Sequence, residues 1–198
     1  MSLYPRTIEQ GTPVNEEQMV GASEHLMNTN RVCFLSGQFV GNMDAHNYLL
    51  ALDSLSKKPI KLIITSPGGD LDSAFLLYDT IRLIKSPVYT LGRYCASAAA
   101  LILAAGKKRY LMPHAKVMLH LPSGQMGGDA RDWEIQHRQM MIYKEKMVSM
   151  LQECGVKKSH EEILRDMDGD KWFEPEEAIE YGLADEVIDK KTLGGWLT

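Results

Sequence analysis

Short hydrophobic runs alternate with helical repeats of apolar residues along most of this chain. The runs have the length and composition of strands, and they occupy residues 32–35, 60–64, 88–91, 109–112, 116–120 and 186–188. Apolar residues at helical spacing predict helices over residues 44–55, 71–84, 97–105, 130–154, 161–166 and 175–181. Repeated strand–helix units of this kind predict an α/β domain with a largely parallel sheet.

Two of the predicted helices are unusual. Residues 97–105 are apolar on all sides, so that helix must be buried. The helix over residues 130–154 would be about 37 Å long, more than a small domain needs for its own core. It either crosses the domain or projects towards a partner, and the pattern alone fits both arrangements. Its methionines suit adaptable packing between subunits: they are Met140, Met141, Met147 and Met150.

The two ends of the chain differ in character. Residues 1–20 hold prolines, a glycine and polar residues without either hydrophobic period, which predicts a flexible N-terminal arm. Residues 21–198 have the length of a single domain with a real core. Within that domain, residues 123–129 are too rich in glycine for a stable element.

Composition and charge narrow the classes of function. The 198 residues are 44% hydrophobic and 24% charged, with a formal net charge of −4. No basic face is available to neutralise phosphates, which argues against nucleic-acid binding. No window approaches the roughly 18 apolar residues of a membrane span, and the first residues have no apolar signal region. The three cysteines show no CxxC pairing, which favours free thiols in a reducing cytoplasm.

The first candidate for chemistry is the sequence Ser66-Pro67-Gly68-Gly69, which follows a predicted strand and precedes a predicted helix. Such a turn can leave backbone N–H groups facing an anion or a developing oxyanion. The alternative is a strand-to-helix turn that needs glycine for its backbone angles alone.

Ser97 is the second candidate, because it begins the buried apolar helix after a strand and a glycine-containing loop. A nucleophile there gains from the helix dipole, and the amide of Ala98 can face its reaction centre. The alternative is a small residue tolerated in a tight core. The GxSxG pattern is absent, which disfavours an α/β-hydrolase. Cys95 lies two residues earlier, but no acid–base pattern surrounds it.

A base and an acid complete the set. Of the six histidines, His120 ends an apolar strand, where it could reach a nucleophile at the rim of a sheet. Its alternative is a half-buried histidine without a role. Asp166, Asp168 and Asp170 crowd one turn and could orient an imidazole. A solvated turn and a calcium loop are the alternatives, but the glycine is misplaced for calcium, and no metal site is predicted.

These segments together resemble the proteolytic subunits of the Clp protease (the ClpP family), over about residues 31–189. The segments that carry the resemblance are FLSG at 34–37, ITSPGGD at 64–70, YDTI at 78–81, CASAAALILAAGKKRY at 95–110, VMLHLPSGQ at 117–125, and residues 166–170 with FEPEEAIEYGLADEV. The resemblance implies a triad of Ser97, His120 and Asp170, with Gly69 and Ala98 donating the oxyanion hole. It implies substrate contacts at Gly68, Leu121, Pro122, Ser123 and Gly124.

The resemblance also implies an architecture and a setting. The fold would be a ClpP/crotonase-like spiral of ββα units with a protruding helix–strand handle at about residues 121–154. Two stacked heptameric rings, a tetradecamer, would enclose the serines, with N-terminal arms at the axial pore. The core would be a serine endopeptidase that needs neither ATP nor a cofactor for hydrolysis. A AAA+ unfoldase of the Clp type would feed it unfolded proteins, as part of protein quality control.

Some positions depart from the family pattern. Arg93, Tyr94 and Cys95 change the wall of the specificity pocket, and Gly169 stands where the family commonly has arginine. Lys61 and Ile63 replace aromatics of the unfoldase-docking pocket, which questions standard docking. These departures motivate an alternative, a weakly active or non-catalytic ring subunit that assembles with an active paralogue. A crotonase-type CoA-thioester enzyme and a phage-type capsid maturation protease are further alternatives.

Overall fold

The computed structural model describes residues 25–39 and 44–197. The predicted arm, residues 1–20, lies outside the described residues. The strands are β1 Val32–Ser36, β2 Ile60–Ser66, β3 Val88–Ala96, β4 Lys108–Leu119, β5 Lys171–Phe173 and β6 Glu186–Val187. A single helical turn occupies residues 25–28. The helices that follow are α1 Asp44–Leu55, α2 Leu71–Leu83, α3 Ala98–Ala104, α4 Ala130–Glu153, α5 His160–Asp166, α6 Pro175–Tyr181 and α7 Lys190–Leu197.

The strands form one sheet with the order β1-β2-β3-β4-β5, and β6 also pairs with β4. Strands β1 to β4 are parallel to one another, because a helix crosses back between each pair. β5 pairs antiparallel with the end of β4, whereas β6 pairs parallel with its beginning. The predicted α/β domain with a largely parallel sheet is confirmed.

Helix α3 is the centre of the main core, and each of its residues is buried. Its small alanines allow close approach to β3 and α2, which explains why an all-apolar helix of this length fits beside the sheet. Arg109 joins distant elements around this core. Its guanidinium donates to the carbonyls of Cys154 and Gly182 and pairs with Asp185.

Helix α4 divides into two parts that differ in burial. Its end packs in the domain's own core through Met147, Val148 and Leu151. Its beginning leaves large apolar side chains exposed: Trp133, Ile135, Met141 and Ile142. Residues 121–129 form no strand in the single chain, so the strand of the implied handle is not seen here. A glycine-rich segment without a neighbouring strand has nothing to fix an extended ladder.

Other differences from the predicted elements have local causes. Strand β3 continues to Ala96 through the predicted glycine-containing loop, because residues 94–96 pair with β4 beyond a register shift. The two pieces predicted at 109–112 and 116–120 form the single strand β4. β5 and α7 were not predicted. β5 is too short for a periodic signal, and α7 contains Gly194 and Gly195.

The C-terminal helix covers the other face of the sheet. Trp196 is buried there against Tyr110, with ring centroids 5.5 Å apart, and near Leu91 and Ile188. The Lys61 ammonium donates to the carbonyls of Gly195 and Trp196, at 3.1 and 2.8 Å. The lysine that departs from the family pattern therefore binds the end of α7.

Candidate active site

Ser97 lies in the sharp turn between β3 and α3. Its φ of 57° and ψ of −128° are uncommon for a residue with a side chain, and such strain is held by its surroundings. The Ser97 amide donates to the Met118 carbonyl at 2.9 Å, and the Ser97 carbonyl accepts from the Ala100 amide. This turn presents the Ser97 hydroxyl at the end of β3, without the GxSxG pattern.

His120 directly follows β4, the neighbour of β3 in the sheet. Ala96 is paired with Met118, so the residues that follow the two strands meet at the same sheet edge. The Ser97 Oγ lies 2.7 Å from the His120 Nε2. With the proton of the neutral imidazole on Nδ1, the serine hydroxyl donates to Nε2, which is the arrangement of a nucleophile and its general base.

Asp170 is the member of the aspartate cluster that faces His120. Its Oδ1 lies 3.7 Å from the His120 Nδ1, and its side chain is 62% exposed. That distance exceeds a hydrogen bond but keeps the two groups close enough for an ion pair once the imidazole is protonated. Asp166 instead binds Lys171 and Tyr181, and Asp168 is exposed.

The Ser66–Gly69 turn packs directly against Ser97. A Cβ added to Gly68 would lie 2.8 Å from the Ser97 Cβ and 2.9 Å from the Ala98 nitrogen. A Cβ at Gly69 would meet the Phe39 carbonyl at 2.4 Å, and both glycines have positive φ. These positions need glycine for close approach as well as for backbone angles.

The backbone around Gly69 indicates where its amide points. The Phe39 amide donates to the Gly68 carbonyl, and the Asp70 amide donates to the Phe39 carbonyl. In this parallel bridge between Phe39 and Gly69, the N–H of Gly69 is directed away from Phe39. Ala98 begins α3, where a first-turn amide has no partner within the helix.

A groove of 600 Å³ passes over Ser97 and His120. Of the residues predicted to contact substrate, Gly68, Pro122 and Ser123 line it. Leu121 instead packs partly against the main core, and a Cβ on Gly124 would lie 3.2 Å from the Met140 Cε. Several residues that line the groove were not predicted from the sequence: Gln38, Asp70, Leu71, Met118, Met140, Tyr143 and Met147.

Cys95, the other nucleophile considered from the sequence, takes no part in the site. Cys95 is fully buried, and burial raises the pKa of its thiol well above the usual range, so it stays protonated. Among residues 25–39 and 44–197, no group of three His, Cys, Asp or Glu side chains could hold a metal ion. No helix of the described ranges is long and apolar enough to cross a membrane.

Comparison with known proteins shows the family of the chain. Residues 15–191 match the model of the family described as Clp protease. The chain belongs to the Clp protease family.

Curated members of the family are similar over much of this chain. It is 43% identical over 145 residues to the ATP-dependent Clp protease proteolytic subunit 4, chloroplastic, of Arabidopsis thaliana, which covers 71% of this chain and 49% of that protein. It is 35% identical over 170 residues to subunit 1 of Rhodopirellula baltica, covering 82% and 74%. It is 34% identical over 187 residues to subunit 1 of Frankia casuarinae, covering 91% and 85%. The chain spans about half the length of the Arabidopsis relative.

Proposed function

We propose that this Clp-family chain is a serine endopeptidase that hydrolyses unfolded polypeptides and short peptides. The observation that carries the proposal is the 2.7 Å contact between the Ser97 Oγ and the His120 Nε2, at a strained turn beside two glycines. Such a pair activates a hydroxyl that is otherwise a weak nucleophile. Membership in a peptidase family supports the same function.

The reaction follows an acyl-enzyme route. The Ser97 Oγ attacks the peptide carbonyl while His120 takes its proton, and the amides of Gly69 and Ala98 stabilise the oxyanion. Collapse of the tetrahedral intermediate breaks the C–N bond, and His120 returns the proton to the leaving amine. A water, deprotonated by His120, then hydrolyses the ester and restores the Ser97 hydroxyl. Asp170 stabilises the imidazolium formed in each half of the reaction.

The groove suits an extended, apolar stretch of polypeptide. Met118, Met140 and Met147 supply adaptable apolar walls next to Ser97 and His120. The hydrolysis itself uses no ATP and no cofactor. The three cysteines are free, which fits a reducing compartment, for which we propose the cytoplasm.

We further propose assembly into two stacked heptameric rings and feeding by a AAA+ unfoldase. The exposed apolar residues at the beginning of α4, Trp133, Ile135, Met141 and Ile142, support an interface between copies. The relatives' names, ATP-dependent Clp protease proteolytic subunits, support a partner that uses ATP. Confinement keeps folded proteins away from a weakly selective peptidase.

Intact mass after fluorophosphonate treatment tests the nucleophile. The wild type should gain one adduct, and Ser97→Ala should gain none. Peptide turnover should fall by roughly 10⁴ or more in Ser97→Ala. Ser54→Ala is the matched control, because Ser54 is an exposed serine on α1, and it should label like the wild type. An unlabelled wild type, or unchanged turnover in Ser97→Ala, would contradict the proposal and favour a non-catalytic ring subunit.

A further inference from the structure

Side chains close the turn that carries Asp170. The turn spans residues 167–170, between the end of α5 and the start of β5. The Lys171 ammonium lies 2.7 Å from the Asp166 Oδ1, across the turn. The Tyr181 hydroxyl donates to the Asp166 Oδ2 at 3.0 Å. We call Asp166, Lys171 and Tyr181 the clasp.

The surroundings of the clasp are more enclosed than those of Asp170. The Asp166 side chain is 21% exposed, against 62% for Asp170. The Lys171 ammonium also lies 5.5 Å from the ring centre of Phe173 and 5.3 Å from that of Tyr181, close enough for cation–π attraction. Because partial burial limits screening by solvent, the attraction between Lys171 and Asp166 is stronger than that of an ion pair on an open surface.

The protonation states of the clasp agree with its contacts. Burial by itself would raise the pKa of Asp166, but hydrogen bonds from Lys171 and Tyr181 hold it below its usual range. The pKa of Tyr181 is raised, first by burial and then by its hydrogen bond to Asp166. At neutral pH the carboxylate is therefore charged and the tyrosine keeps its proton, so both hydrogen bonds to Asp166 are available.

The clasp is joined to both sides of His120. Lys171 pairs with Leu119 between β5 and β4, and Leu119 directly precedes His120. At the other end of the turn, the Leu121 amide donates to the Met167 carbonyl at 2.8 Å. The backbone thus ties Met167 and Lys171, which flank residues 168–170, to the residues on either side of His120.

We propose that Asp166, Lys171 and Tyr181 are positioning residues that hold the Asp170 carboxylate against His120 and so set the turnover rate of Ser97. The proposal rests on the proposed function. None of the three touches the substrate or the reacting atoms. Each acts through Asp170, whose carboxylate lies beyond hydrogen-bond distance of the His120 Nδ1.

The first test compares two replacements of Lys171 by steady-state peptide hydrolysis. Lys171→Met keeps an apolar stem on Phe173 and Tyr181 but loses the ion pair. Its kcat should fall about tenfold while KM stays within about twofold, because misplacing a group that acts in the transition state lowers kcat. Lys171→Arg keeps the charge and should restore kcat to within about threefold of the wild type.

The decisive test repeats Lys171→Met in an Asp170→Asn background. If the clasp acts through Asp170, the second substitution should cause no further loss of kcat. A further tenfold loss would show an independent structural effect and overturn the proposal. Unchanged kcat in Lys171→Met alone would overturn it as well.

A second variant guards against misfolding. Tyr181→Phe removes a single hydroxyl and keeps the ring, and it should lower kcat in the same direction by a smaller factor. Circular dichroism and native mass should match the wild type in each variant. With the fold intact, an unchanged kcat in either Tyr181→Phe or Lys171→Met refutes the clasp. Ser97 labelling separates the two proposals. A wild type without Ser97-dependent hydrolysis refutes the proposed function, whereas a labelled wild type with an insensitive Lys171 refutes the clasp alone.

Discussion

The nucleophile side of the site and its acid side are held in different ways. Ser97 and Gly68 are fixed largely by main-chain contacts: the Ser97 amide donates to the Met118 carbonyl, and the Gly68 carbonyl accepts from the Phe39 amide. The Gly68 amide also donates to the Ser66 hydroxyl. Asp170 lies on an exposed turn, 3.7 Å from His120, and side chains close that turn. The first side follows the central strand β3, and the second precedes β5, the last strand in the order β1-β2-β3-β4-β5.

The difference follows from what each side does. Forming a covalent bond requires the Ser97 oxygen in a near-attack position, where displacement by an ångström is costly. The charge of Asp170 acts on the imidazolium through an interaction that falls only gradually with distance. A catalytic site can therefore carry its aspartate on an exposed turn and remain active, provided that other contacts limit the movement of that turn.

The largest effect in this comparison should come from Gly68→Ala. An added Cβ would lie under 3 Å from the Ala96 carbonyl, the Ser97 Cβ and the Ala98 nitrogen, at a backbone φ of 90°. The nucleophile and the Ala98 amide would both be displaced, so we expect kcat/KM for a peptide to fall by about 10³. Steady-state hydrolysis measures this.

Gly169→Ala is the matched control on the acid side. Gly169 lies one residue before Asp170 and has no positive φ, and a Cβ added to it would meet no atom within 4 Å beyond its chain neighbours. Its kcat/KM should stay within about twofold of the wild type, since most surface substitutions are nearly neutral. Equal losses of kcat/KM in Gly68→Ala and Gly169→Ala would contradict the difference between the nucleophile side and the acid side.

A smaller loss should follow Asp170→Asn. The neutral amide no longer stabilises the imidazolium, so we expect kcat to fall by about 10². This is less than the loss in Ser97→Ala, because Asp170 is exposed and beyond hydrogen-bond distance. The measurement is kcat for both variants on one peptide. If Asp170→Asn loses as much as Ser97→Ala, the aspartate must be tightly engaged during turnover.

The smallest predicted effect is the contribution of Asp166 to the pH dependence of folding stability. Asp166 has a folded-state pKa below its usual range, so its ionised form favours the folded state above about pH 4, the usual aspartate value. That contribution is lost as pH falls through the lowered folded-state pKa. The melting temperature of Asp166→Asn should lie below that of the wild type at pH 6 and converge with it in acid. We expect about 1 kcal/mol or less at pH 6. A constant difference down to about pH 2.5, well below the usual aspartate pKa, would contradict an ionised Asp166.

Much of the fold was predictable because long elements carry a strong period. Residues 44–55 and 130–154 show it over several turns, and the structure has helices at Asp44–Leu55 and Ala130–Glu153. The run of residues 97–105 had to be buried because it has no polar face. Strand β5 was not predicted, because Lys171–Phe173 is too short to show a hydrophobic period and is a strand only through its pairing with β4.

The candidate site was predictable in its residue types more than in its arrangement. Ser97 and the Ser66–Gly69 turn follow predicted strands, His120 ends one, and the ends of parallel strands meet at one edge. The sequence could not show that Leu121 turns towards the core while Met118, Met140 and Met147 line the groove. Which way a side chain faces at a strand end depends on register, and β3 shifts register between Gly92 and Tyr94.

The sequence by itself determined the α/β class, the buried helix after Ser97 and the segments of the Clp protease family, because these follow from local periodicity and short motifs. Only the tertiary structure decided how far Asp170 lies from His120, that Lys171 bonds back to Asp166, and that Lys61 binds the end of α7. The physical reason is that these contacts join residues through the sheet and the packed core. Their distances depend on strand register and helix packing, which no local stretch of sequence encodes.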